Sequence, residues 1–182
     1  REMLERGGLK ESDYKLVSVG GTLQRWEALK EKKQSGSLLN TPFDLIAEAA
    51  GLRKLDNAVN ILVSYEGTVG AARRSWAQAH REQVVGYTRA YVGGLGWLYD
   101  RANKAEAIQI LRKRIPTMAE ELASKTYEVF FAPPGGMDPK AALDLPGMRT
   151  VLRLRSKYTG KELTDPSRYY DLSYYEQAIK SR

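Results

Sequence analysis

The stretch from Gly36 to Gly51 constrains the fold more than any other part of this sequence, because it predicts a short apolar strand, an abrupt polar turn and a helix. Thr41 stands where the N-cap of the helix belongs, Pro42 takes the first helical position, and Asp44 follows three residues after the cap, as in a capping box. A helix that begins at a strand end points free backbone N–H groups into the crevice above the sheet, where small polar or anionic molecules bind. The same pattern also suits an ordinary capped helix that binds nothing.

Two further segments have the apolar pattern of buried strands, at 14–19 and 61–65. The first is followed by Gly20, Gly21 and Thr22, and Thr22 is the expected N-cap of a helix that runs to about Lys33. Its predicted buried face consists of Leu23, Trp26 and Leu29. Two consecutive strand–helix units predict right-handed parallel crossovers, and hence an α/β fold with a parallel-rich sheet and flanking helices up to about residue 67.

The rest of the chain predicts mainly helices. The buried stripe expected on the longest of them contains Val84, Tyr87, Tyr91, Leu95 and Leu98. Further helices are expected over 103–114, from Pro116 onward, over 148–158 and at the end of the chain. Ser173 and Glu176 have the spacing of a capping box in the last of these.

Composition excludes several kinds of site. The chain has 182 residues, enough for one good core or two small ones, and its mean hydropathy of −0.49 is typical of a soluble globular protein. It has no cysteine and a single histidine, His80, which excludes disulfides, thiolate chemistry and a histidine-rich metal site. No metal or cofactor is therefore expected. The net charge of +7 permits nucleic acid or an acidic surface as a partner.

The sequence begins with Arg1 rather than Met, and residues 1–8 have the pattern of the last turns of a helix that ends on glycine. We therefore expect that residues upstream are missing from this sequence. It contains no signal peptide.

The order and spacing of motifs along nearly the whole chain resemble the nitrate/sulfonate/taurine and thiamine-pyrimidine group of ABC-transporter substrate-binding proteins. The motifs are Gly8-Leu9, Val19-Gly-Gly-Thr22, Trp26-Glu-Ala-Leu29, Leu39-Asn-Thr-Pro42, Ala47-Glu-Ala-Ala-Gly51, Tyr65-x-Gly67-Thr68, Trp76, Tyr87-Thr-Arg-Ala-Tyr91, Trp97-Leu-Tyr-Asp100, Ala105-Glu-Ala107 and Asp171-Leu-Ser173. One stretch departs from the family pattern. Family members commonly have Gly-x-hydrophobic-Asp-Ala before the central strand, whereas this chain has Lys-Lys-Gln-Ser-Gly at residues 32–36.

This resemblance implies a two-lobed fold of the type II periplasmic-binding-protein class, with the N-terminal part of its first lobe absent here. Residues 1–67 would form the second, ligand-binding lobe. Residues 68–182 would contain the hinge crossing and the helical C-terminal part of the first lobe. The implied protein is monomeric and periplasmic, exported by a signal or lipid anchor outside this sequence. It would deliver its solute to an ABC permease in the inner membrane.

The expected ligand is a small anionic or heteroaromatic solute, such as nitrate, a sulfonate, taurine or a pyrimidine. The residues expected to contact it offer bare backbone N–H groups, hydroxyl or amide side chains, or an aromatic wall. They are Gly20, Gly21, Thr22, Asn40, Thr41, Phe43, Tyr65 and Thr68. The resemblance alone implies the place of Thr68, on the strand that crosses the cleft.

Other functions stay open. A ligand-sensing domain would keep the fold, and a thiamine-pyrimidine biosynthesis enzyme shares it. No Ser-His-Asp order, phosphate loop or metal spacing favours catalysis, so the protein is not expected to be an enzyme. A basic nucleic-acid-binding module would use Arg112–Arg114 together with Arg149, Arg153, Arg155 and Lys157. These groups lack interleaved aromatic residues, and solvated helix faces explain them better.

Overall fold

The computed structural model of the chain describes residues 1–131 and 136–180, and all regular secondary structure in this part is helical. The α-helices are α1 (Glu2–Arg6), α2 (Thr22–Lys30), α3 (Phe43–Ala49), α4 (Ala58–Leu62), α5 (Arg74–Ala79), α6 (Arg81–Tyr99), α7 (Lys104–Arg114), α8 (Glu120–Phe131), α9 (Leu145–Thr159) and α10 (Ser173–Lys180). Short 3₁₀ segments lie at Glu11–Asp13, Arg101–Asn103 and Pro166–Tyr169.

The prediction of an α/β fold with a parallel sheet is wrong, and with it the two-lobed architecture of the type II periplasmic-binding-protein class. The segments 14–19 and 37–39 contain no strand, and the segment expected as a third strand begins inside α4. Leu16, Val17 and Leu38 are exposed by 54%, 60% and 59% instead of facing a core. An apolar run of this length is compatible with a strand, but a strand forms only where a neighbour pairs with its backbone.

The chain divides into two compact units. The first contains Arg1–Asn57 and Ile108–Phe130, and the second contains Ala58–Ala107 and Phe131–Arg182. The chain passes from the second unit to the first within α7 and returns at the end of α8.

The first unit is organised on the packing of α2 against α3. Trp26 is buried as predicted, whereas Leu23 is 53% exposed and Leu29 only half-buried. Ala28 on the same helix and Ala47 on α3 are buried as well. Small side chains thus let the two helices approach, while the leucine predicted for the core remains in solvent.

In the second unit, α10 packs along the long helix α6. The buried stripe of α6 contains Val85, Val92 and Leu95. The prediction was correct for Leu95 but wrong for the two tyrosines, because Tyr87 is 69% and Tyr91 42% exposed. The ring of Tyr87 stacks instead on that of Tyr91, with 6.3 Å between ring centroids.

Arg81 joins α6 to α10. Its Nε donates to Gln177 Oε1 at 3.0 Å and its Nη2 donates to Ser173 Oγ at 3.1 Å. Its guanidinium lies 4.5 Å from the ring centroid of Tyr174. Ser173 is the first residue of α10, and Asp171 Oδ1 accepts from its backbone N–H at 3.0 Å.

Hydrogen bonds from the Ser173 side chain and backbone, with the nearby charges of Arg81 and Arg74, hold the pKa of Asp171 below its usual value of 3.8. A carboxyl whose pKa is lower in the folded state stabilises that state above its unfolded pKa. This stabilisation is lost as the pH falls below about 4. We expect the free energy of unfolding in urea to fall more from neutral to acidic pH in the wild type than in Asp171→Asn. The difference should be small because Asp171 is exposed. An equal acid response of the two proteins would contradict this.

The start of α9 is held by a second network. Asp144 is its N-cap, and Asp144 Oδ1 accepts from Gly147 N at 3.0 Å. Ser64 Oγ donates to Asp144 Oδ2 at 2.5 Å, and Glu66 Oε2 accepts from Asp144 N at 2.8 Å. Two residues about eighty positions upstream thus fix the first turn of α9. At the other end of the helix, Gly160 is the C-cap and adopts the left-handed conformation (φ 66°).

Candidate functional site

The glycine turn before α2 is the first part of the candidate site. Gly20 has φ +106°, a conformation that glycine adopts without strain, and Gly21 is the N-cap of α2. Thr22 is the first helical residue rather than the cap. Within residues 1–131 and 136–180 no side chain caps α2, so the N–H groups of its first turn have no side-chain acceptor there. An anion placed here would meet these donors and the positive end of the helix dipole.

Gln24 lies across this turn and was missed by the sequence analysis. A Cβ built on Gly21 would stand 2.9 Å from Gln24 Oε1, so the amide of Gln24 occupies the space beside that glycine. Gln24 is the third residue of α2, the position from which Glu or Gln reaches back in a capping box. The three-residue spacing from Gly21 to Gln24 is the sequence signal that could have identified Gln24.

Arg25 was missed as well, and it links α2 to the second predicted part of the site. Its Nη1 donates to the carbonyl of Leu38 at 2.9 Å, two residues before Asn40. Its Nε is buried without a hydrogen-bond partner among residues 1–131 and 136–180. Arg25 is the fourth residue of α2, and its half-buried side chain connects that helix to the Leu38 carbonyl.

The turn at Asn40 and Thr41 forms differently from the prediction. The Asn40 carbonyl accepts from Phe43 N at 2.9 Å, and the Thr41–Pro42 peptide bond is cis. Pro42 occupies the cap position of α3, and Thr41 does not cap it. Neither does Asp44 complete a capping box, because its Oδ2 pairs with Lys54 Nζ at 3.1 Å. Asn40 is exposed, and Thr41 and Phe43 are half-buried.

The structure places most of the predicted residues in the first unit, at the starts of two helices that pack together. They are Gly20, Gly21 and Thr22 at α2, and Asn40, Thr41 and Phe43 at α3. Tyr65 and Thr68 belong to the second unit, in a segment without regular secondary structure, and Tyr65 is 46% exposed.

A cavity of about 410 Å³ lies in the second unit between α6 and α10. It is lined by Arg89, Ser173, Glu176, Gln177 and Lys180, none of which was predicted to contact a ligand. The described residues contain no group of histidine, aspartate and glutamate side chains placed to hold a metal ion. None of the described helices is long and apolar enough to cross a membrane.

Comparison of the chain with family models, with characterised proteins and with solved structures found no match. The resemblance to ABC-transporter substrate-binding proteins, and the solute and permease that it implies, therefore stay predictions.

Proposed function

We propose that this chain binds a small anionic or heteroaromatic solute on its first unit, and that it is the periplasmic solute-binding component of an ABC importer. The observation that supports solute binding is the uncapped start of α2, with Arg25 as the fourth residue of the same helix. The importer, the periplasmic location and the permease partner rest on the motif resemblance alone. No bond is made or broken in this function.

Each part of the candidate site has a role in binding. The N–H groups and dipole of α2 favour an anion by about 0.3–1 kcal/mol at an exposed site. The guanidinium of Arg25 adds a fixed positive charge, and arginine matches the planar oxygen pairs of nitrate, sulfonate and carboxylate groups. The Asn40 amide and the Thr41 hydroxyl offer further donors and acceptors, two and three residues beyond the Leu38 carbonyl that Arg25 contacts. Phe43 supplies an apolar surface for the rest of the solute.

The decisive experiment is a thermal unfolding screen against nitrate, alkanesulfonates, taurine, aromatic carboxylates and pyrimidines. A ligand at a hundred times its Kd stabilises a protein by about 2.7 kcal/mol, which moves its Tm by several degrees. A shift with one of these classes would support the proposal and identify the ligand. No shift with any of them would refute it.

With that ligand, we expect the double variant Asn40→Ala/Thr41→Ala to bind about tenfold more weakly, because hydrogen-bonding groups of the turn are lost. Titration calorimetry measures the affinity, and the Tm without ligand should change little. Ser35→Ala/Ser37→Ala changes two exposed side chains of the same unit that are not expected to contact the ligand, so it is the matched control and should bind normally. Equal weakening in both double variants would show that the turn at Asn40 and Thr41 is not the binding site.

A further inference from the structure

One exposed face of α9 contains only positive charges. Arg149, Arg153 and Lys157 follow each other at four-residue spacing and are all exposed, while Leu152 on another face of the helix is buried. We call these three residues the α9 basic row. Residues 145–159 include no aspartate or glutamate. The row is thus an unbroken line of cations on the solvent side of an amphipathic helix.

Two members of the row have no acidic partner. Arg149 and Arg153 make no ion pair within the described residues, whereas Lys157 Nζ lies 5.0 Å from the ring centroid of Tyr158. On α7 and α8, by contrast, Arg112 pairs with Glu120 at 2.8 Å and Lys125 pairs with Glu121 at 2.7 Å. Like charges four residues apart weaken a helix by about 0.2–0.5 kcal/mol per pair. The Arg149–Arg153 pair therefore lowers the stability of α9 unless an external acid neutralises it.

We propose that the α9 basic row docks an acidic helical segment of a partner protein whose carboxylates also recur every fourth residue. Four residues of helix rise by about 6 Å and turn about 40° beyond a full turn, so the row extends about 12 Å along α9 and winds slowly around it. An acidic helix with the same spacing places its carboxylates at the same interval. Arginine can bind each carboxylate with two parallel hydrogen bonds. This inference does not depend on the proposed solute.

Other polyanions fit the row less well. Proteins that bind duplex DNA through its backbone use about 6–10 phosphate contacts, and three cations supply too few. Only one aromatic side chain, the half-buried Tyr158 beside Lys157, occurs within 145–159, whereas single-stranded bases stack on a series of aromatic side chains. A membrane would gain only about 1 kcal/mol for each cation, because Leu152 is buried and cannot insert among lipids.

The test uses a labelled alanine-rich helical peptide with glutamate at every fourth position, and a second peptide with glutamine in its place. We expect anisotropy measurements at about 50 mM salt to show binding of the glutamate peptide only, which weakens strongly at about 200 mM salt. The double variant Arg149→Gln/Arg153→Gln should lose about tenfold in affinity. The control variant Lys113→Gln/Arg114→Gln removes the same charge from α7 and should bind normally.

Several outcomes would overturn the proposal: no binding of the glutamate peptide at low salt, equal loss in both variants, or tighter row-dependent binding of duplex DNA or anionic vesicles. Far-UV circular dichroism of both variants establishes that they are folded. Arg149→Lys/Arg153→Lys keeps the charge and the helix, so it tests separately whether the guanidinium groups themselves are needed. It should bind more weakly than the wild type but better than the glutamine variant, because lysine lacks the planar pair of donors.

Discussion

Replacing Leu95 by alanine is expected to lower the free energy of unfolding by about 2–5 kcal/mol. Leu95 is 3% exposed on α6, the helix against which α10 packs. The substitution removes buried apolar surface and leaves a cavity that rigid neighbouring helices fill only in part. Urea unfolding followed by far-UV circular dichroism measures the change.

Leu23→Ala is the matched control, because it makes the same chemical change at a position that is 53% exposed. Its free energy of unfolding should stay within about 0.5 kcal/mol of the wild type. The pair of variants also tests the fold, since the apolar periodicity of the sequence predicted both leucines to face a core. A large loss at Leu23 would contradict the packing of α2 described here.

Gly147→Ala is expected to destabilise the protein by about 1–3 kcal/mol, because there is no room for its methyl group. A Cβ at this position would stand 2.6 Å from Glu66 N and 2.9 Å from Asp144 Cγ. One contact is to backbone, and the other is to the carboxyl group that caps α9 and accepts from Ser64. Relieving the overlap would therefore break the network at the start of that helix.

The same substitution at Gly86 should have the opposite sign. Gly86 lies inside α6, and a Cβ there meets no atom within 4 Å. Alanine is a better helix former than glycine, so Gly86→Ala is expected to stabilise the protein by about 0.5–1 kcal/mol. Equal effects of the two variants in urea unfolding would contradict the crowding at Gly147.

Part of the candidate site was predictable from local sequence. The glycines before α2, and the polar turn before α3, do lie at helix starts, because glycine and proline control the backbone over a few residues. Which group caps each helix was not predictable. Thr41 and Asp44 have capping spacing, but the Asn40 carbonyl closes the turn and Lys54 pairs with Asp44. The position of the Arg25 side chain was not predictable either, because it donates to the carbonyl of Leu38, thirteen residues away in the sequence.

The sequence by itself determined the helical second half, the position of α7 and the lack of any thiol group, since all of these depend on composition or on neighbouring residues. Tertiary structure decided the rest. The apolar runs at 14–19 and 61–65 satisfy the pattern of strands, yet α4 begins before one and neither forms a sheet. A helix closes its hydrogen bonds within itself, whereas a strand requires a partner distant in the sequence, and no local pattern specifies that partner.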